Sequence, residues 1–414
     1  MRKLLSRRWS IFITASLLFA LSQFYRATNA VIAPDLVEDL RLDTEGLGLI
    51  SAAFFYAFAL IQIPLGIVLD RVGPRRTMSV LSLVAVCGAL VFSWSDSLAG
   101  GLVGRILMGI GMSCNLMGTL KLLTLWFESA SFATLSGIVL AIGTMGNVAA
   151  TTPLVLLVRW CGWRWALSII AGINLVLVVI FYRVVRDRPR GETQVSLPTE
   201  TYDPLRETLS GMRGLLKMRE YWIISCAAFF RSGVFAAFQA LWAGPYLMGV
   251  LGLDALDAGN LLFLINVGMV LGSLGWGALS DRILKTRKWV VLSVVLMLAV
   301  CLFLTAILPP GTGYPILALL FFSIGFFGGG GIVVFAHIKD LTPIELAGTA
   351  MTGVNFFTMI GAALFLQGLG AFMQRLYPNA SQGPEAFKSA FIFCSVCLAL
   401  GAFVYLLTRD SRAK

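Results

Sequence analysis

Apolar runs of roughly 20 residues alternate with short polar stretches along the whole chain, and each is long enough to cross a hydrocarbon core about 30 Å thick as a helix. They fall at approximately 10–33, 45–69, 77–95, 98–123, 131–158 and 164–185, and again at approximately 221–248, 257–280, 289–308, 313–337, 346–373 and 387–408. One long polar stretch, Arg186 to Glu220, separates the two sets; it carries Pro189, Gly191, Pro198 and Pro204 among many charges and reads as a linker. The pattern predicts an all-α membrane protein of twelve transmembrane helices in two six-helix bundles, residues 1–185 and 221–414, joined by a linker at 186–220. The opening segment Met1–Ala30 has the basic start of a secretory leader (Arg2, Lys3, Arg7, Arg8) and a small-residue stretch, Thr28-Asn29-Ala30. Its apolar core is too long and holds Arg26 near its end, so it is expected to stay in place as the first span.

Composition narrows the class. Charged residues make up 13% of the chain where soluble domains carry about 25%, so no soluble fold hides this much apolar surface. The 42 glycines suit helices that approach closely where lipid gives no hydrophobic drive to pack. Seven cysteines lie almost entirely in apolar stretches with no histidine at metal spacing; they read as packing residues, and neither a metal nor a cofactor is expected. Of the 32 lysines and arginines, 23 fall on the side that holds both ends of the chain and the linker, and 5 on the other. That bias places both termini in the cytoplasm, with a cell inner membrane as the expected location. The net charge of +11 follows from basic loops facing an anionic leaflet and needs no nucleic-acid partner.

The most specific pattern is Gly66-Ile67-Val68-Leu69-Asp70-Arg71-Val72-Gly73-Pro74-Arg75-Arg76 where span two ends, which recurs after span eight as Gly277-Ala278-Leu279-Ser280-Asp281-Arg282-Ile283-Leu284-Lys285. Recurrence at corresponding places is what a duplicated six-helix unit produces. The pattern resembles the loop signature of the major facilitator superfamily, and the resemblance covers essentially the whole chain. It implies two pseudo-symmetric bundles that work as a monomer, locked together at the cytoplasmic side by Gly66, Asp70, Arg71, Asp281 and Arg282. Leu102-x-x-Arg105-x-x-x-Gly109-x-Gly111 and Gly162-Trp163-Arg164-Trp165 resemble the family's span-four motif and its usual opening of span six. Span five lacks the contiguous Gly-Pro-x-x-Gly-Gly of drug–proton antiporters, which weighs against drug efflux.

Charges inside spans are expensive and usually functional. Four basic residues lie there, Arg26, Arg105, Lys121 and Arg231, while no acidic residue lies deep within a span; Asp35 and Glu128 sit at span ends. A buried cation needs a partner, and an anionic substrate supplies one. Arg26 and Arg231 stand in spans one and seven, which by the resemblance are symmetry mates lining a central cavity, so the pair reads as a two-sided oxyanion clamp. Tyr25-Arg26-Ala27-Thr28-Asn29 with Ala33-Pro34 resembles span one of the family's organic-anion and organophosphate branch, and Phe230-Arg231-Ser232 with Pro245-Tyr246 resembles span seven of carriers related to vesicular glutamate and sialate transporters. Gln62 stands where the organophosphate pattern has a lysine, which argues against a phosphate substrate. Tyr25, Asn29, Tyr56 and Gln239 are expected to dress the site, Arg105 to pair with Asp35 at the outer rim, Lys121 to snorkel, and His337 to stand solvated at a loop edge.

No phosphate loop, nucleotide fingerprint, HExxH or nucleophile elbow is present, so neither an enzyme nor an ATP-driven pump is expected. The resulting expectation is a secondary transporter of a small organic anion, with a proton or a counter-anion as coupling species. The alternatives are a carrier of neutral or zwitterionic solutes such as drugs, amino acids or dipeptides, and a ligand sensor on the same fold.

Overall fold

Backbone groups in hydrocarbon must find hydrogen bonds within the element that crosses it, and the apolar runs accordingly form helices. The computed structural model describes residues 2–127, 129–187, 214–309, 311–343 and 346–411. The first half contains α1 (Arg2–Ala27), α2 (Asn29–Leu40), α3 (Thr44–Val72), α4 (Pro74–Ser93), α5 (Leu98–Met112), α6 (Asn115–Trp126), α7 (Ser129–Ala149) and α8 (Thr152–Val184). The second contains α9 (Arg219–Ala237), α10 (Ala255–Ala278), α11 (Lys288–Ile307), α12 (Tyr314–Gly329), α13 (Ile332–Leu341), α14 (Ala347–Leu376) and α15 (Pro384–Tyr405). Glu128 and most of the expected linker lie outside the described residues.

Among the described residues, eleven helical stretches are long and apolar enough to span a membrane, and the shorter apolar helix Leu135–Ala149 supplies the remaining crossing. That crossing continues into the start of α8, where Gly162, at φ 77°, separates it from span six. The positive φ marks the end of one helix, and the following Trp163 and Arg164 begin the next span. Apolar side chains such as Leu274, Leu319 and Trp160 remain exposed around the outside, as a bilayer-facing surface requires.

Spans one, four, seven and ten, the first of each consecutive run of three, are interrupted along their length. The interruptions fall at Thr28 between α1 and α2, at Ser113 and Cys114 between α5 and α6, in the π-helical turns Phe238–Trp242 and Tyr246–Val250, and at Gly330 and Gly331 between α12 and α13. A helix that stops inside a bilayer leaves carbonyls that lipid cannot satisfy. At the first break, the carbonyl of Tyr25 accepts from Arg105 Nη1 at 2.9 Å and from Thr28 Oγ1 at 3.1 Å. Arg105 is fully buried, its guanidinium 5.1 Å from the ring centre of Phe54 and 5.7 Å from that of Phe92.

This overturns the expected Arg105–Asp35 pair: a freed carbonyl inside the bundle is a nearer acceptor than a carboxylate at the rim. The rim pairing exists with other partners, since Asp39 accepts from Trp163 Nε1 at 2.8 Å and pairs with Arg164, which also reaches Asp96 at 3.4 Å. Lys121 does not simply snorkel either; its Nζ donates to Leu69 O, near the end of α3, at 2.8 Å.

The halves meet through α3 against α14, α7 and α8 against α10, and α2 against the π-helical stretch after α9. The polar contacts joining them lie toward the face remote from the termini. Thr44 bonds Gln374 and Ser381, Tyr56 donates to Gln367 at 2.9 Å, Thr152 donates to Asn260 at 2.8 Å, and Arg159 pairs with Asp254 at 2.9 Å. The Asp257 amide and the Arg159 guanidinium hold the Asp254 carboxyl below the usual carboxylate range. Backbones also touch there: a Cβ on Gly244 would lie 1.7 Å from Ala30 O. The remote face is therefore shut.

Two outcomes follow from this packing. Gly244→Ala should wedge the remote face open, because the added carbon meets backbone that cannot rotate away; labelling of a cysteine placed at Thr44 by a membrane-impermeant maleimide should rise several-fold, and unchanged labelling would count against the seal. Arg105→Ala should destabilise the protein by about 1–3 kcal/mol, because the Tyr25 carbonyl loses its charged donor and keeps only Thr28 Oγ1, read as a lower thermal midpoint. Asp35→Asn should leave that midpoint unmoved.

Candidate functional site

The two arginines of the expected clamp sit beside helix breaks but differ in what holds them. Arg26 occupies the last turn of α1, two residues before the Thr28 break. Its guanidinium lies 4.9 Å from the ring centre of Phe58 and 5.7 Å from that of Phe55, both on α3. Its Nε is buried without a hydrogen bond, and among the described residues Arg26 has no acidic partner. Stacking on rings holds the planar cation while leaving its N–H edge for another acceptor.

Arg231, on α9, is 7% exposed and more fully engaged. Its Nη1 donates to Gly328 O at 3.1 Å and its Nη2 to Ser232 Oγ at 2.6 Å, while Nε has no partner. The guanidinium rests on the Gly330–Gly331 break, where a Cβ on Gly331 would come within 2.4 Å of three of its atoms. Arg231 thus satisfies a carbonyl at the end of α12, as Arg105 does at the end of α1. Part of its hydrogen-bonding capacity is structural.

The remaining expected residues divide. Tyr25 is fully buried and faces Asn174 of α8, so it points into the first bundle and away from Arg26's neighbours. Asn29 is fully buried beside the break; its Nδ2 donates to Ser51 Oγ at 2.8 Å and its Oδ1 is unpartnered. Tyr56, next to Phe55, spans the two halves through Gln367. Gln239 Nε2 donates to Asn266 Oδ1 at 3.0 Å within the second half.

The expected gate residues lie on the terminal face. Gly66 and Asp70 lie in the last two turns of α3. Arg71 and Arg282 are exposed. Asp281 pairs with Arg287 of its own loop, and Arg287 Nε reaches Asp340 of α13 at 3.0 Å, so this copy of the motif is fastened within its own half in this conformation. The first copy is fastened likewise: the carboxylate of Asp187 accepts from the Arg75 amide at 2.7 Å, and Arg75 Nε donates to Tyr182 O at 2.9 Å. Gly73, at φ 88°, brings its backbone so close to Asp187 that a Cβ would collide with the carboxylate.

His337 corrects another expectation. It is fully buried, because the chain after α15 folds back over the end of α13. Its Nδ1 bonds the hydroxyl of Tyr405 and its Nε2 bonds Arg409 O at 3.0 Å. Tyr405 lies within electrostatic reach of Arg231, so these three residues run from the span-ten break to the terminal face. Sequence reasoning passed over Phe55, Phe58 and Tyr405. The Gly328–Gly331 run was a visible sign that span ten breaks where Arg231 lands.

The chain is 26% identical over 292 residues to a probable sulfoacetate transporter of Cupriavidus necator, covering 69% of this chain and 67% of the relative. It is 24% identical over 417 residues to a D-galactonate transporter of Escherichia coli, covering 92% and 91%. A bacterial homologue of the human lysosomal transporter Spinster, solved inward-facing and unoccupied, superposes with a TM-score of 0.76 at 18% identity over 97% of this chain and 96% of that one. The family model described as Major Facilitator Superfamily matches residues 13–366 and 224–414. With twelve crossings in two bundles, charged residues at helix breaks and a duplicated loop motif, the chain belongs to the Major Facilitator Superfamily and is an integral membrane transporter, not an enzyme.

Proposed function

We propose that the protein moves a small organic anion across the membrane by alternating access, coupled to a proton or a counter-anion. The observation that carries this reading is Arg26, a cation beside a mid-span helix break, stacked on two phenyl rings and without a counter-charge among the described residues. A desolvated guanidinium is costly alone and strongly stabilised by an oxyanion that its fork can grip. Arg231 offers the unpartnered Nε as a second contact, and Asn29 Oδ1, Tyr56 and Gln239 offer polar groups suited to hydroxyls on the substrate. Tyr25 is left out because it points elsewhere. The relatives support the class, since galactonate and sulfoacetate both carry full negative charge at neutral pH.

The basic bias of the loops supports a cytoplasmic terminal face. On that orientation the structure is closed outside, and the loops after spans two and eight form the inner gate. Arg71 and Arg282 are exposed for partners across the gap, and closing it requires Asp281 to exchange Arg287 for the opposite half.

Isothermal titration of the purified protein with D-galactonate, sulfoacetate and neutral sugars tests the substrate class. Arg26→Ala and Arg231→Ala should weaken anion binding roughly ten- to a hundredfold, the loss of one desolvated charged hydrogen bond worth about 1.5–3 kcal/mol. Arg26→Lys should fall between, because it keeps the charge and loses the fork. Folded variants that bind as tightly as the parent would sink the clamp. Separately, a reporter fused after Lys414 should report from the cytoplasm and one inserted near Asn379 from outside; both reporting from one side would overturn the topology.

A further inference from the structure

A groove of about 980 Å³ opens between α3, α4 and α8 at the terminal end of the first bundle, away from the arginine pair. Its walls are largely apolar. Along α3 it extends from Ile61 to Val72, which at 1.5 Å per residue is about 16 Å, close to half of a hydrocarbon core about 30 Å thick. Its length is therefore that of a single leaflet. At the terminal end it is bordered by Arg76 and Arg183, both exposed and without an acidic partner among the described residues, and by the exposed ring of Tyr182. Deeper in the wall stand Thr77 and Ser79, each 4% exposed, whose hydroxyls make no hydrogen bond.

We infer that this groove holds one anionic phospholipid of the adjacent leaflet, its acyl chains along α3 and α4 and its headgroup phosphate between Arg76 and Arg183. A free phosphate or a soluble anion would match the arginines and leave the apolar walls wet. A zwitterionic lipid would fill the walls and leave the two cations without net counter-charge. The headgroup end abuts the loop fastened by Arg75, Tyr182 and Asp187, so the lipid adjoins the gate loop without touching the arginine pair.

The test is lipid retention by the full-length protein, which does not depend on whether it carries anions. Native mass spectrometry after purification with phosphatidylglycerol or phosphatidylcholine should show one phosphatidylglycerol retained in preference to phosphatidylcholine. Arg76→Gln with Arg183→Gln should weaken that retention roughly ten- to thirtyfold, as expected for two basic side chains lost beside an anionic headgroup. Val80→Trp, at an exposed groove position, should displace the lipid by filling its place. Arg282→Gln with Lys285→Gln, at the matching loop of the second half, should retain it. The inference is overturned if the parent holds both lipids equally, if the Arg76/Arg183 and Val80 variants elute as single folded species and keep phosphatidylglycerol unchanged, or if glycerol 3-phosphate alone stabilises the protein as much as the lipid does.

Discussion

A guanidinium donating to a carbonyl that a broken helix has released is the interaction on which this molecule turns. Arg105 does it for Tyr25 and Arg231 does it for Gly328. Each break releases a carbonyl into an apolar interior, and each arginine would otherwise be a buried cation without an acceptor. The contact relieves part of both costs, while Arg105 Nε and Nη2 and Arg231 Nε stay unpartnered. The two cases are related by exchange: in the first half an arginine of span four plugs the break in span one, and in the second an arginine of span seven plugs the break in span ten. Arg26 differs because it borders a break already served by Arg105 and Thr28, and so is left for a ligand.

The same economy explains how the halves are held. Where they touch, the contacts are short polar pairs and close backbone approaches confined to the remote face, such as Thr44 against Gln374 and Gly244 against Ala30. Where the duplicated motifs stand, the described ion pairs stay inside each half. A molecule that seals one face by contact and ties the loops of the other face inward can rock only if the loop partners are exchanged, as the Asp281–Arg287–Asp340 chain permits.

The fold was legible because span length is set by bilayer thickness and shows directly as apolar runs, and the duplicated motif marked the halves. The site was legible only in part. Adjacent helical residues are about 100° apart, so Tyr25 and Arg26, neighbours in sequence, face α8 and α3 respectively. Arg105 was matched to the nearest carboxylate, because a freed carbonyl has no signature when the break, as at Thr28, comes without a local proline or glycine pair. His337 read as a loop edge because its burial depends on the chain after α15 folding back, which no local pattern records.

The loop after span two and its counterpart after span eight share one more feature. Asp187, just beyond span six, accepts from the first-turn amide of Arg75, and Asp410, just beyond span twelve, accepts from the first-turn amide of Lys288 at 3.1 Å. Each half is thereby buckled into a hoop, its last helix clasped to the start of its third. The connecting chain leaves after the clasp. A load arriving at Asp187 from beyond the clasp is therefore borne by the hoop as a whole and not by any single helix.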